Sequence, residues 1–291
     1  MVESKILAQE YFLNRHNLPI NVISNILDKL NYILITQINE LYTKRVNIDY
    51  WQNPMEALCF KLSLHVASLQ KLLQKSSVPF NEGILEIFDI SSINIISRAI
   101  TENYLTLYHF HFELITNEHK EFRFLIYALS ALKNRQLFSV PTSEKKNQYE
   151  RDKIEIANFE NALVNNSYFK SLPTKNQKHY LSTKDAKQLP WTTLLDESDL
   201  KPEFFKDTWR LQSNYAHSEF LSVLQIKDFP QNPEQLKSSS YVMAELATII
   251  LSVTINHVNE LFSESKRVFV SLDEDTKQMV NYFCKVGTKS V

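Results

Sequence analysis

Glycine is almost missing from this chain, whose 291 residues include only Gly83 and Gly287. An average protein contains about 7% glycine, because glycine alone adopts positive-φ turns at little cost. Without glycine-rich loops the chain cannot form the phosphate-binding turns of Walker-type or dinucleotide-binding proteins. The same scarcity disfavours β-rich architectures, whose hairpins and bulges use glycine, and it favours long helices.

Cysteine is equally scarce, since only Cys59 and Cys284 are present and they lie far apart. No zinc site of the Cys-x-x-Cys kind can form, and we expect neither a metal nor a cofactor. The N-terminal residues lack the pattern of a secretory signal. The longest apolar stretch, Tyr241 to Val253, is too short to span a membrane and contains Glu245. These features predict a cytoplasmic protein without a membrane partner.

Charge is nearly balanced over the whole chain, with a net value of −1. It is uneven locally, because residues 133–188 contain eleven Lys or Arg and six Asp or Glu. This excess of five positive charges could contact the phosphates of RNA. A solvated basic helix and loop would give the same composition. The sequence leaves both interpretations open.

Helical periodicity dominates the chain, with apolar residues recurring every three or four positions. It predicts an all-α protein with one helical bundle domain at residues 79–291 and an N-terminal helical extension at 1–78. The segment 167–199 is the least regular. The predicted helices cover about 18–45, 54–74, 81–116, 118–138, 144–165, 202–224, 233–263 and 273–283.

The third predicted helix, 81–116, is apolar on all sides, as expected for a central, buried helix. Arg98 and Glu102 interrupt this apolar surface at a spacing of four, so they share one face and are expected to touch. Charged residues are rarely buried without partners. The pair is therefore either a structural ion pair in the core or part of a polar cavity.

The strongest candidate for chemistry is Arg210 with His217, seven positions apart in a predicted helix. Two helical turns separate them, so both side chains should project from one face. A permanent cation beside an imidazole suits metal-free RNA cleavage: the histidine moves a proton and the arginine stabilises charge on the phosphoryl oxygens. Ser213, Asn214 and Tyr215 would add polar contacts.

Taken together, Arg98-x-x-x-Glu102 and the later Trp209-Arg210-x-x-Ser213-x-Tyr215-x-His217 resemble a widespread family of bacterial helical proteins that is loosely related to the HEPN superfamily. The resemblance covers roughly residues 80 to 262. It implies a helical bundle, a homodimer that joins two copies of the motif, and metal-independent ribonuclease activity in toxin–antitoxin or phage-defence systems. Its partners would be RNA and an antitoxin or other protein.

By this resemblance Arg210 and His217 would be the catalytic pair. The chain departs from the pattern at Leu211, where active HEPN nucleases usually have a polar residue. The alternative is a non-catalytic helical module in which the same residues form a polar network or bind a nucleotide, a nucleic acid or a protein partner.

A second histidine-rich segment, His109-Phe110-His111 with Glu113, suggests a metal site at first sight. Two histidines two positions apart diverge by about 160° around a helix, so they cannot share one ion there. Packing or ordinary hydrogen bonding is the favoured interpretation of this segment. His65 and His257 also lie within helical patterns, which predicts core or surface roles for them.

Overall fold

The computed structural model describes residues 20–80, 83–182, 186–228 and 233–289, and the predicted helix start at Leu18 and Pro19 lies outside them. The described residues form thirteen α-helices and one two-stranded hairpin, which confirms the all-α prediction. In chain order the elements are α1 (Ile20–Thr43), α2 (Pro54–Leu72), β1 (Ser76–Phe80), β2 (Gly83–Ile87), α3 (Ile90–Leu107), α4 (Asn117–Arg135), α5 (Ser143–Asn165), α6 (Ser167–Ser171), α7 (Thr174–Ser182), α8 (Trp191–Glu197), α9 (Pro202–Ala216), α10 (Phe220–Asp228), α11 (Pro233–Leu261), α12 (Ser263–Val270) and α13 (Glu274–Gly287).

The chain is divided into two compact units. Unit 1 comprises the described residues of Met1–Asn47, Met55–Leu107 and Leu195–Val291. Unit 2 comprises Ile48–Pro54 and Tyr108–Leu194. Helices from the first 78 residues therefore share a unit with the C-terminal helices, because α1 packs on α11 and α12.

The core of unit 1 forms around α11, which packs against α1, α3 and α13. The apolar residues of α1 recur at helical spacing, and Leu27, Leu30 and Leu34 are completely buried. Gln37 continues this face, and its amide donates to the backbone oxygen of Ile255 on α11 at 3.3 Å. The periodicity of α1 thus places one apolar face against the central helix.

Helix α11 is longer than its apolar stretch suggested. Residues Glu234–Leu261 are long and apolar enough to cross a membrane, but 78% of the most apolar window is buried inside the protein. The sequence argument that the apolar stretch is too short to span a membrane therefore does not apply to the whole helix. Its burial, in contrast, is typical of a core helix.

The prediction of one helix over 81–116 is wrong at both ends. Strands β1 and β2 form an antiparallel hairpin in which Ser76 pairs with Ile87 and Phe80 with Gly83. Helix α3 begins at Ile90, where the Asp89 carboxylate accepts a hydrogen bond from the Ser92 backbone at 3.0 Å. The helix ends at Leu107 and continues as one π-helical turn. Apolar residues in a short hairpin imitate helical periodicity over so few positions.

Unit 2 is built on α4 and α5, which pack against each other and against the short α6. Threonine side chains cap both long helices: Thr116 accepts from the His119 backbone and Thr142 from the Lys145 backbone, each at 3.3 Å. Helices α6, α7 and α8 occupy the segment 167–199 that looked irregular in sequence. The buried core consists of Phe122, Leu125, Ile126, Leu129, Leu163 and Phe169.

Gly287, the last residue of α13, provides a test of the packing in unit 1. A Cβ at this position would overlap Cγ2 of Ile249 on α11. We expect Gly287→Ala to lower the free energy of unfolding by about 1–3 kcal/mol, because a filled core cannot accept another methyl group. Urea denaturation measures the effect.

The matched control is Gly83→Ala, in an exposed strand position without a positive φ. This substitution should change stability by less than about 0.5 kcal/mol. Equal effects of the two substitutions would contradict the described packing of α13 on α11.

Candidate functional site

Polar side chains meet where α9 packs on α3. Trp209 contacts Glu102, whereas His217, two turns further along the chain, contacts Arg98. The later residue of α9 thus contacts the earlier residue of α3, so the two helices are antiparallel. This arrangement brings together two motifs that lie more than a hundred residues apart in sequence.

Arg98 is held on several sides. Its Nε donates to Glu102 Oε1 at 2.8 Å, one helical turn away on α3. Its guanidinium carbon lies 5.0 Å from the centre of the Trp209 ring. The Trp209 indole in turn donates to the same Glu102 oxygen at 3.3 Å. Because one carboxylate and one aromatic face fix the guanidinium, its NH1 group is directed with little rotational freedom.

His217 lies beside this group. Nε2 of its ring is 3.3 Å from Arg98 NH1, and the residue is exposed to solvent. Helix α9 ends at Ala216, so His217 has a non-helical backbone with φ −105° and ψ 8°. Ser218 follows with a φ of 52°, in the left-handed region typical of helix ends. His217 therefore lies at the C-terminal end of α9, where its backbone N–H still donates to the Ser213 carbonyl at 3.1 Å.

Arg210, the predicted partner of His217, has a different neighbour. Its NH1 donates to Asp207 at 3.0 Å, and 60% of its side chain is exposed. His217 contacts Arg98, whereas Arg210 contacts Asp207.

The other predicted site residues serve mainly local structure. Ser213 donates to the Trp209 carbonyl at 3.0 Å and Asn214 to the Arg210 carbonyl at 2.8 Å. Tyr215 is buried, which raises the pKa of its phenol to about 12, and it donates to Gln225 at 2.8 Å. These contacts shape the end of α9 and its packing.

The Arg98–Glu102 pair has features of both interpretations that the sequence left open, a structural ion pair and part of a polar cavity. They form an ion pair, but their side chains keep 15% and 23% of their surface exposed. One partner of the pair also reaches the exposed His217. The pair is therefore neither sealed in the core nor free in solvent.

Sequence reasoning missed a polar cluster around His257 in unit 1. His257 on α11 contacts Asp199 at 2.8 Å and Glu260 at 3.5 Å, and Tyr104 donates to the other Asp199 oxygen. Burial opposes charge on the imidazole, but its hydrogen bonds to these two carboxylates outweigh the effect of burial and raise the pKa of His257 to about 9. Asp199 follows a short helix, so no sequence spacing indicated this contact.

The histidines of His109-Phe110-His111 are buried in unit 2, and their ring nitrogens have no hydrogen-bond partner among the described residues. Their backbone oxygens accept from the buried side chains of Arg123 and Lys120, each at 2.7 Å. Burial and these nearby cations lower the pKa of both imidazoles to about 3. Both rings are neutral at physiological pH.

In the part of the chain that the structure describes, no group of three or more His, Cys, Asp or Glu side chains could hold a metal ion. Comparison with known proteins adds no relative: no family model, curated protein or solved structure matches the chain. The HEPN resemblance therefore rests on the motif residues themselves.

The contact between Asp199 and His257 predicts that the free energy of unfolding falls as the pH becomes alkaline. Because the folded-state pKa of about 9 exceeds the ordinary value, the contribution is present below about pH 6.5 and is lost as pH rises through 9. We expect Asp199→Asn to lower the free energy of unfolding by about 3 kcal/mol at pH 6 and clearly less at pH 9.5.

Urea titrations at the two pH values measure this difference. Asp196→Asn, at an exposed carboxylate paired with Lys206, is the matched control and should lose little at either pH. An equal loss for Asp199→Asn at both pH values would show that the cluster does not depend on a charged imidazole.

The two buried histidines predict instability in acid. Their lowered pKa means that the unfolded chain binds protons that the folded chain does not, so stability is lost as pH falls from about 6.5 towards 3. Between pH 6.5 and 5 the loss should be on the order of 2 kcal/mol per histidine.

The double variant His109→Phe/His111→Phe should flatten this dependence, because phenylalanine binds no proton. His179→Phe, at an exposed histidine of unit 2, should keep the wild-type dependence. Circular dichroism of urea unfolding between pH 5 and 7 distinguishes the two variants, and parallel curves would refute the explanation.

Proposed function

We propose that this protein is a metal-independent endoribonuclease of HEPN type that cleaves single-stranded RNA at a site formed by Arg98 and His217. The observation that supports this function best is the 3.3 Å contact between Arg98 NH1 and His217 Nε2 at an exposed position. A fixed cation beside an accessible imidazole suits cleavage of a phosphodiester, because the imidazole can move a proton and the cation can stabilise charge on the phosphoryl oxygens.

In the proposed reaction Arg98 NH1 exchanges its contact with His217 Nε2 for the phosphate. The free Nε2 takes the proton of a ribose 2′-hydroxyl, and the 2′-oxygen attacks the adjacent phosphorus. The P–O5′ bond breaks, the 5′-oxygen leaves with a proton from solvent, and a 2′,3′-cyclic phosphate remains. Arg98 donates to the non-bridging oxygens as charge grows on them. Positioned proton transfer of this kind contributes about 10²- to 10⁴-fold to a rate.

Glu102 and Trp209 are positioning residues in this proposal, because they fix the guanidinium without reaching the substrate. Glu102 also offsets part of the positive charge of Arg98, so tight RNA binding needs further cations.

The HEPN resemblance also suggests a cellular role for this protein. It implies a toxin-like effector of the cytoplasm, active as a homodimer and restrained by an antitoxin or another protein partner. The burial of the most apolar helix inside unit 1 is compatible with a soluble core.

A second function is favoured by Glu102, which accepts hydrogen bonds from both Arg98 and Trp209. Such a closed network also suits a non-catalytic module that binds a nucleotide, a nucleic acid or a protein. Both functions use the same side chains, so only the fate of the bound RNA distinguishes them.

Incubation of purified protein with single-stranded RNA in excess chelator tests the proposal. We expect products with 2′,3′-cyclic phosphate ends. His217→Ala should abolish cleavage, with little change in melting temperature because the side chain is exposed. Arg98→Gln should slow it about 100-fold, the cost of losing one charge-stabilising donor.

Two further arginine variants make the result specific. Arg267→Gln removes an exposed guanidinium of unit 1 outside the site and should cleave like the wild type. Arg210→Gln tests the pair predicted from sequence, Arg210 with His217, against the pair in the structure, Arg98 with His217. A larger loss of cleavage rate in Arg210→Gln than in Arg98→Gln would identify Arg210 as the catalytic arginine. RNA that is bound but never cut would identify the non-catalytic module.

A further inference from the structure

Helix α10 exposes apolar side chains of the kind that a helix normally buries. Five of its nine residues are large, apolar and exposed to solvent: Phe220, Leu221, Val223, Leu224 and Ile226. Single exposed apolar residues are ordinary, whereas a contiguous apolar patch marks an interaction site. Helix α10 is therefore a candidate interaction surface of unit 1.

An apolar stripe runs along the outer side of this helix. Phe220, Val223 and Leu224 follow one another at spacings of three and four positions, and Lys227 ends the stripe. The exposed fractions of the three apolar residues are 72%, 50% and 43%. This spacing is the one by which a helix packs against another helix.

The inner side fixes α10 to the protein. Ser222 is buried, and its hydroxyl donates to the Glu219 carbonyl at 2.7 Å. Gln225 accepts a hydrogen bond from the buried Tyr215 of α9 at 2.8 Å. Rotation of the stripe towards the core would break these contacts, so the fold itself directs the stripe outwards.

The charges around α10 disfavour a membrane as its partner. Lys227 is the only Lys or Arg between residues 219 and 228. Helices that lie on membranes are rich in Lys and Arg, which attract anionic lipids. Glu219, directly before the helix, is repelled by such lipids. The stripe therefore fits a protein surface better than a lipid surface.

The two ends of the stripe carry opposite charges. Glu219 precedes the helix and Lys227 lies in its last turn, and both are exposed without an ion-pair partner among the described residues. Eight positions separate them, so they are not neighbours within one chain. In an antiparallel pair of α10 helices centred on Val223, each Glu219 lies beside the other copy's Lys227. Such self-complementarity is what a two-fold symmetric dimer requires.

We propose that α10 packs antiparallel against α10 of a second copy of this chain and thereby forms a homodimer. The apolar stripe is the centre of the contact, and two Glu219–Lys227 pairs close its ends. His217 lies three residues before Phe220, so the contact places the two Arg98–His217 sites at opposite ends of the paired helices. The inference rests on the proposed function, because it names the surface by which the proposed homodimer forms.

Sedimentation of the full chain from nanomolar to high micromolar concentration tests the inference. We expect a reversible dimer that dissociates at micromolar concentration, because one short helix buries less than the standard interface of about 1,600 Å². Val223→Glu should weaken the dimer at least about tenfold, since two carboxylates then meet on the symmetry axis. The monomer should stay folded, because the position is exposed and glutamate favours helices.

Val270→Glu is the matched control. Val270 is also an exposed helical valine of unit 1, but it lies on α12. This variant should dimerise like the wild type, which would show that an added carboxylate elsewhere on unit 1 is without effect.

Two charge reversals test the antiparallel register. Glu219→Lys and Lys227→Glu should each weaken the homodimer severalfold, because like charges then face each other at both ends. An equimolar mixture of the two variants should form a heterodimer. A chain that carries both reversals should recover the homodimer, a result that only pairing with a second copy predicts.

The outcomes separate this surface from the chemistry. Weakening by Val223→Glu together with recovery on mixing supports the inference, even if the protein cuts no RNA. A monomer at every concentration overturns it and leaves α10 to a different protein. A dimer that Val223→Glu does not weaken, or charge variants that do not recover on mixing, also overturn it. RNA cleavage by such proteins leaves the nuclease proposal intact.

Discussion

The contact on which the candidate site depends is the ion pair between Arg98 and Glu102, supported by the ring of Trp209. An exposed ion pair is worth little, because water screens it and both side chains lose entropy. This pair is half-buried and shares its carboxylate with an indole N–H, so the guanidinium keeps one orientation. The position of the His217 contact follows from that orientation.

Much of the fold could be predicted from sequence because helical periodicity is a local property. Helices α1, α2, α4 and α5 begin and end within a few residues of the expected positions. Failures occurred where local patterns are ambiguous. Five-residue strands are too short to show a clear alternation, and the break after Ala216 depends on a residue with positive φ that is not glycine.

The site was predictable only in part. Arg98, Glu102 and His217 were recognised as candidates from their residue types and from their context in helices. The contact of Arg98 with Glu102 was expected, but the contact of Arg98 with His217 was not predicted, because these two residues are 119 positions apart and only the packing of α9 on α3 joins them. Asp199 and His257 had no local signal either, since 58 residues separate them.

The interrupted course of the chain has a consequence for biosynthesis. Gln37 of α1 bonds to Ile255, which is 218 residues further on, and unit 2 is inserted between the parts of unit 1. A ribosome adds about 5–20 residues per second, so α1 waits on the order of ten seconds or more for its partner helix. The Arg98–His217 pair likewise forms only after most of the chain has emerged, and a nascent polypeptide therefore carries no assembled site.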